Sequence, residues 1–305
     1  MRFTPPGDST PSDPKVQKAL IKAITDEKPA FITLGGDIPY RGAMEAHWRE
    51  FDQATAPWRE KGIAVYPSLG NHELMGGGVK DEHGKYTNLP EDVKNGLENY
   101  FRRFPAIKGS NYYSLRAGRV LMLFLDSNPR GIIKNDKGEE TEQGKWLSSQ
   151  LDQARRDTDF VVVVMHHPPY TSSTDGHGEK PVQVGTRMAA YKGHAARPTD
   201  HDLGRFLEER QARLKPRIMV LASHVHNYER KVHGNVTYIT TGGGGAQPVL
   251  IRRQPDDLFK GEGINFHYLS VEVEPGRMQV TMNRLDPDRP GIWTKADTFT
   301  LRPLL

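Results

Sequence analysis

Three short apolar runs constrain this chain more than any other feature. They are Ala30 to Leu34, Phe160 to Met165 and Ile218 to Leu221, and each ends abruptly in a cluster of polar residues. The runs are unbroken and rich in β-branched residues, so they predict strands buried on both faces, as in the parallel sheets of α/β folds. A fourth run, Gly62 to Pro67, is similar but shorter in its apolar part. Helical periodicity fills the intervals. Ser12 is the expected cap of a helix with Pro14 in its first turn and Val16, Leu20, Ile21 and Ile24 on one face. Further helices are expected near Ala43–Thr55, Glu91–Phe104, Glu142–Arg156 and Asp200–Arg213, and a hairpin over Asn111–Asp126 turning at Ala117–Gly118. After Gly245 the helical patterns stop, and His267–Val273 and Gln279–Asn283 alternate like antiparallel strands. The expectation is an α/β fold with mixed sheets, residues 1–305 forming one domain with no linker and no internal repeat.

Composition narrows the chemistry. The 30 glycines and 22 prolines, about 17% of 305 residues, exceed the usual ~12% and predict long loops on a compact scaffold. Two irregular stretches, Leu74–Pro90 and Thr171–Thr199, are longer than ordinary connections, and such loops are usually functional or disordered. The net charge is +4 without a run of five basic residues, which suits a small anionic substrate and argues against a nucleic-acid groove. Cysteine is absent, so disulfides, thiolate metal sites and cysteine nucleophiles are excluded, and the 12 histidines become the place to look for metal chemistry. No apolar run approaches the ~18 residues of a membrane helix. The N-terminus shows no charged-then-apolar leader, and a Met1 left by trimming leaves the compartment open.

The polar clusters carry the function. Leu34 leads into Gly35-Gly36-Asp37-Ile38-Pro39-Tyr40, and the Val65 run into Gly70-Asn71-His72-Glu73. Met165 leads into His166-His167-Pro168-Pro169-Tyr170, and Leu221 into Ser223-His224-Val225-His226-Asn227-Tyr228-Glu229-Arg230. Ligands of open α/β sheets collect beyond the carboxyl ends of strands, so the four clusters are expected to converge. Carboxylate, amide oxygen and imidazole without thiolate suit Zn²⁺, Fe, Mn²⁺ or a mixed pair. His224 and His226 can reach adjacent ions, and Asp37 has an oxygen for each. Two ions ~3.5–4 Å apart clamp a phosphoryl group and lower the pKa of bound water to ~7. His72 would then face the substrate as a general acid or electrostatic clamp.

These blocks resemble the signature of the calcineurin-like metallophosphoesterases. Asp37 with Tyr40, the Asn71-His72-Glu73 block, His166 after its valines and the His224 to Arg230 run stand in that family's order. The tyrosine and the Tyr228-Glu229-Arg230 tail are most similar to the purple acid phosphatase branch, as a catalytic domain alone. The resemblance implies two mixed β-sheets flanked by helices, packed as a sandwich, with two metal ions at the sheet edge. It implies Asp8, bridging Asp37, Tyr40 and His226 around one ion, and Asp37, Asn71, His166 and His224 around the other. His72 would assist the leaving group, and His177 is the nearest candidate for a phosphate contact in the following loop. Hydrolysis of a phosphate monoester by attack of a metal-bound hydroxide is the leading expectation. A phosphodiesterase on the same core, or a metal-binding module without turnover, is the alternative. The expected partner is a small phosphate ester, with no nucleic acid and no membrane. Related proteins are often exported, which leans the location towards outside the cytoplasm.

Two departures stand out: Ser223 occupies a position the family gives to glycine, and Pro5-Pro6 precede Asp8 where a central strand is wanted. Of the other polar residues, His167 is expected to pack or support rather than ligate, and His194 and His201 to lie on surface loops. Gly242 to Gly245 is expected as a tight turn beside the site. Glu229 and Arg230 are expected as a salt-bridged scaffold. Trp48, Trp58 and Trp146 are expected in or against the core.

Overall fold

The computed structural model describes residues 2–5, 12–77, 79–80, 86–107, 109–154, 157–175, 180–191 and 193–304. Asp8 and His177 lie outside the described residues. In chain order the helices are α1 (Pro14–Asp26), α2 (Glu45–Ala54), α3 (Ala56–Glu60), α4 (Pro90–Arg103), α5 (Glu142–Gln153) and α6 (Pro198–Gln211). The strands are β1 (Phe31–Leu34), β2 (Ala64–Pro67), β3 (Val79–Lys80), β4 (Tyr86–Thr87), β5 (Tyr113–Ala117), β6 (Val120–Phe124), β7 (Phe160–Met165), β8 (Val182–Val184), β9 (Arg187–Ala189), β10 (Arg217–Ala222), β11 (Tyr228–His233), β12 (Val236–Thr241), β13 (Phe266–Glu274), β14 (Arg277–Leu285) and β15 (Trp293–Leu301).

A six-stranded mixed sheet, in the order β11-β12-β10-β7-β6-β5, forms the centre. Its inner strands β6, β7, β10 and β12 run parallel, and β5 and β11 add antiparallel edges. The unbroken apolar runs are explained by alternation across this sheet. Val161, Val163 and Met165 of β7 face Leu147 and Leu151 of α5 and Leu203 and Leu207 of α6. Val162 and Val164 face the other way, onto Met278, Val280 and Met282 of β14. Both faces are covered, so neither can be polar. Each such side chain stabilises the fold by roughly 1.5–3 kcal/mol when fully buried.

The second layer is divided. It consists of a parallel pair, β1-β2, and a separate antiparallel sheet, β13-β14-β15. β7 and β10 are buried along almost their whole length, as expected, but β1 is not: only Ile32 is buried there. β2 is likewise mostly half-exposed. Helices α1 to α4 close this side, with Ile21, Trp48, Phe51, Trp58, Tyr100 and Phe104 in one aromatic-rich core around Ile32.

The cap of α1 is a small correction. Asp13, not Ser12, accepts the free amides of Lys15 (3.0 Å) and Val16 (3.1 Å). Pro14 takes the first helical position, which makes its immediate predecessor the capping residue. Ser12 instead pairs its hydroxyl with that of Thr4 at 2.8 Å. The hairpin of β5 and β6 turns through Gly118 as expected. Within the two long loops the chain adds the small hairpins β3-β4 and β8-β9. No helix among the described residues is long and apolar enough to cross a membrane.

Candidate metal centre

The carboxyl ends of β1, β2, β7 and β10 bring Asp37, Asn71, His166 and His224 to one point. His166 Nε2 lies 3.2 Å from Asp37 Oδ1, 3.1 Å from Asn71 Oδ1 and 3.0 Å from His224 Nδ1. Proton accounting shows what this arrangement wants. His166 Nδ1 is 2.8 Å from the Gly35 carbonyl, which can only accept, so Nδ1 carries a hydrogen, and the neutral ring that a metal ligand requires would hold its lone pair on Nε2. With that ring neutral, the two oxygens facing it add only lone pairs, and at most one proton, on His224, is left among the four atoms. Such a set is stable around a cation and unfavourable without one. Oxygen and imidazole donors at these spacings suit a tetrahedral or octahedral transition metal.

Asp37 also has a second oxygen to offer. Oδ1 faces the histidines and accepts the backbone amide of His72 at 3.0 Å. Oδ2 takes a 2.9 Å ion pair from Arg2, which is 16% exposed. Burial alone would raise Asp37, but His166, His72 and Arg2 together hold its carboxyl well below the usual range. His226 sits on the Arg2 side and lines one cavity with Arg2, Asp37, His166 and His224. Its Nδ1 donates to the Gln247 carbonyl at 2.7 Å, leaving Nε2 as the free nitrogen. Burial lowers both His224 and His226 well below the ordinary imidazole value, so both are neutral and able to ligate.

The backbone is strained at two of these residues. Asp37 (φ 54°) and His224 (φ 62°) adopt left-handed angles, which cost non-glycine residues about 1–3 kcal/mol each. Ser223 does not adopt such an angle, so a side chain there needs no unusual backbone. Its room comes from Gly35: a Cβ built on Gly35 would overlap Ser223 Oγ. Gly35→Ala is therefore expected to destabilise the fold by about 1–3 kcal/mol through overpacking. Adding Ser223→Gly should return most of that loss, and urea unfolding of the single and double variants measures it. Independent, additive effects of the two substitutions would contradict the packing argument.

His72 and Tyr40 form the outer wall. His72 Nδ1 donates to the Tyr40 carbonyl at 2.6 Å, and Nε2 lies 3.9 Å from Asp37 Oδ2. Burial is the main cause that pushes His72 down to about 4. The Tyr40 ring packs 5.0 Å from His72, and among the described residues its hydroxyl has no hydrogen-bond partner.

Glu73 carries no signal in the sequence beyond its place after His72, yet it organises the site. Buried completely, it accepts the amides of Gly70 (2.7 Å), Asp37 (2.9 Å) and Ile38 (2.6 Å). Burial, then the charge of Asp37, pushes its carboxyl up to about 7. Arg2 is equally silent in the sequence, because only the fold brings it to Asp37. His194 is exposed, as a loop residue should be, but its ring lies 4.4 Å from that of His224, at the rim of the site.

His167 belongs to a histidine group with His166 and His224, in which one ring nitrogen of each lies within 4.8 Å of the others. Its protonation argues against ligation. The Ser127 hydroxyl accepts the amides of His166 (3.2 Å) and His167 (3.0 Å), so its one hydrogen goes to His167 Nδ1, 2.9 Å away. That leaves the proton on Nε2. Glu229 and Arg230 anchor separate partners instead of each other. Glu229 holds Ser172 N (2.6 Å) and the Thr171 hydroxyl (2.5 Å), and Arg230 pairs with Asp297 on β15 at 2.7 Å.

A sequence model of the calcineurin-like phosphoesterase family matches residues 11–228. Purple acid phosphatase 18 of Arabidopsis thaliana is 23% identical over 308 residues, covering 94% of this chain and 60% of its own length. A probable inactive purple acid phosphatase 9 of the same plant is 29% identical over 174 residues, covering 50% of this chain and 25% of its own. The chain thus spans less than two thirds of either relative. Among solved structures, the purple acid phosphatase PPD1 of yellow lupin (Lupinus luteus) seeds superposes with a TM-score of 0.65 at 16% identity. That match covers 96% of this chain and 49% of the lupin chain.

Proposed function

Because this chain belongs to the calcineurin-like phosphoesterase family, we propose that it hydrolyses phosphate monoesters with a pair of transition-metal ions. The whole of residues 1–305 acts as one catalytic domain in this reading. The observation that carries it is the convergence of Asp37 Oδ1, Asn71 Oδ1 and His224 Nδ1 on His166 Nε2, all within 3.2 Å of it.

The donor set fits the group. One ion would be held by Asp37, Asn71, His166 and His224; the other by Asp37, His226, Tyr40 and Asp8. Bound ions would supply charge neutralisation at the phosphoryl oxygens and activation of the nucleophile. The protein's own residues do the rest. Asp37 would offer an oxygen to each ion, and the His72 amide fixes the rotation of its carboxyl. Gly35 and Gln247 carbonyls set the tautomers of His166 and His226, so that Nε2 of each faces inwards. The buried His72 ring would assist the departing alcohol from Nε2 when that nitrogen is protonated, a state that its pKa of about 4 confines to acid conditions. Arg2 is positioned to meet an anion at the mouth, since its charge is committed to only one carboxylate oxygen.

Elemental analysis of protein purified without chelators should find close to two transition-metal ions per chain, with hydrolysis of an aryl phosphate. Metal removal should lower the melting temperature, since a ligand at about 100 times its Kd stabilises the folded state by ~2.7 kcal/mol. A chain that binds fewer than one ion and turns over no monoester would end the proposal. Faster turnover of a diester would reassign the substrate class on the same centre.

A further inference from the structure

The wall that carries His72 and Tyr40 continues into Arg41, the next residue in the chain. The Tyr40 ring packs 5.0 Å from the His72 ring, and the half-buried Arg41 places its guanidinium 5.7 Å from the centre of the Tyr40 ring. The charge is thus no further from the His72 ring than those two separations laid end to end.

Local structure fixes where this side chain starts. Arg41 to Met44 form a turn, closed by Met44 N donating to the Arg41 carbonyl at 3.1 Å. Gly42 N donates to the His72 carbonyl at 2.8 Å and Ala43 N to the Met75 carbonyl at 3.0 Å, so the turn is bonded to the segment that carries His72. The Gly42 carbonyl in turn accepts Trp48 Nε1 at 2.7 Å and Asn99 Nδ2 at 3.0 Å. Position 42 has no room for a side chain, because a Cβ there would overlap the Glu73 carbonyl. The Arg41 backbone is therefore held in register with His72.

What the side chain lacks is a counter-charge. Glu45, four residues on, is held by Arg102 and, at 2.7 Å, by Arg103 of α4. Asp52 is held by Arg103 as well, at 2.9 Å. Asp37 is engaged by Arg2, whose guanidinium lies 6.0 Å from the centre of the same Tyr40 ring. Among the described residues Arg41 has no carboxylate partner, and its hydrogen-bonding contact is a weak 3.9 Å approach of Nη1 to the Met44 sulfur. Tyr40 thus has two guanidinium groups against its ring and only Asp37 to balance them. An arginine on a fixed backbone with most of its N–H donors uncommitted is suited to bidentate capture of a phosphate or carboxylate.

We propose that Arg41 selects the leaving group, by binding a second anionic group, phosphate or carboxylate, on the alcohol of the substrate ester. This rests on the phosphomonoester hydrolysis proposed for the centre and names the class of substrate. With the scissile phosphoryl group at the metal pair and His72 at the leaving oxygen, the alcohol extends along the His72–Tyr40 wall. A charge on its far side then meets Arg41. A phosphorylated hydroxy acid or the bisphosphate of a small polyol fits this arrangement; the monoester of an uncharged alcohol gains nothing from it.

The test reads binding, so that it stands apart from turnover. The metal-loaded protein and its Arg41→Ala and Arg41→Lys variants are titrated calorimetrically with three phosphonates that cannot be hydrolysed. These are benzylphosphonate, 4-(phosphonomethyl)benzoate and 1,4-xylylenediphosphonate. The parent should bind at least one of the two doubly anionic compounds about 10–100-fold more tightly than benzylphosphonate, the usual gain from hydrogen bonds to a charged group. Whichever of the two shows the larger gain identifies the second group as carboxylate or phosphate. Arg41→Ala should bring that ratio close to one, and Arg41→Lys, with the charge but not the planar fork, should keep part of it. A parent that binds all three alike, or none of them, would overturn the proposal. So would an alanine variant that keeps the parent's ratio while losing affinity for all three, which would make Arg41 a support for Tyr40 alone. Phenyl phosphate checks the hydrolysis separately. If the ratio depends on Arg41 but phenyl phosphate stays intact, the anion site stands and the hydrolytic reading falls.

Discussion

Replacing His72 by alanine is expected to lower aryl phosphate turnover by about 10²–10⁴-fold, the usual size of proton-transfer assistance, while metal content stays at the parent level. The two halves of that expectation come from different atoms of one residue. The ring, held by Nδ1 on the Tyr40 carbonyl, leaves Nε2 to act on the substrate and ligates neither ion in the proposed arrangement. The backbone N–H fixes Asp37 Oδ1 at 3.0 Å, and alanine keeps that bond. Elemental analysis beside kcat separates the roles. A variant that loses its metal would make His72 part of the ligand framework and overturn its role as the acid.

The second large effect concerns Glu73, and it is one of stability. Truncation to alanine leaves the amides of Gly70, Asp37 and Ile38 without an acceptor in a fully buried place. An unmet buried donor costs about 1–3 kcal/mol, so a combined loss of at least about 3 kcal/mol is expected in urea unfolding. Metal affinity should fall as well, by about 10–100-fold, because the same carboxylate fixes the backbone that carries Asp37. Glu73→Gln keeps one oxygen and should fall between the parent and the alanine variant. An alanine variant within about 1 kcal/mol of the parent would show that these amides find other partners.

Much of the fold, and the convergence of Asp37, Asn71, His166 and His224, is legible in the sequence alone, and the physical reason is periodicity. β7 and β10 are central strands covered on both faces, so their sequences can only be apolar, and their ends announce themselves by the sudden change to polar residues. β11 leaves no such trace. It reads Tyr-Glu-Arg-Lys-Val-His, yet Glu229 and Lys231 are buried, at 1% and 3% exposure. Glu229 is compensated by Thr171 and Ser172, and Lys231 by Ser172, Asp256 and Asp257. A strand whose inward positions are charged and paired is invisible to a hydrophobic pattern. Arg2 escapes notice for a related reason, and Glu73 stands in a signature block that does not reveal its role. Their roles are set by partners 35 or more positions away or by backbone amides, and neither carries a local spacing signal. The exposure of β1 is equally hidden, since an apolar run says a strand should be covered without saying by what.

The fit of Ser223 against Gly35 has a consequence for how this chain can change. The two positions lie 188 residues apart in sequence but are neighbours in the fold, and a Cβ at position 35 would overlap the Ser223 hydroxyl where it now stands. Any lineage that gains a methyl group at position 35 must first have given up the hydroxymethyl at 223, and the reverse order passes through a destabilised intermediate. Substitutions at these sites should therefore accumulate in a fixed sequence, a ratchet set by volume and not by catalysis.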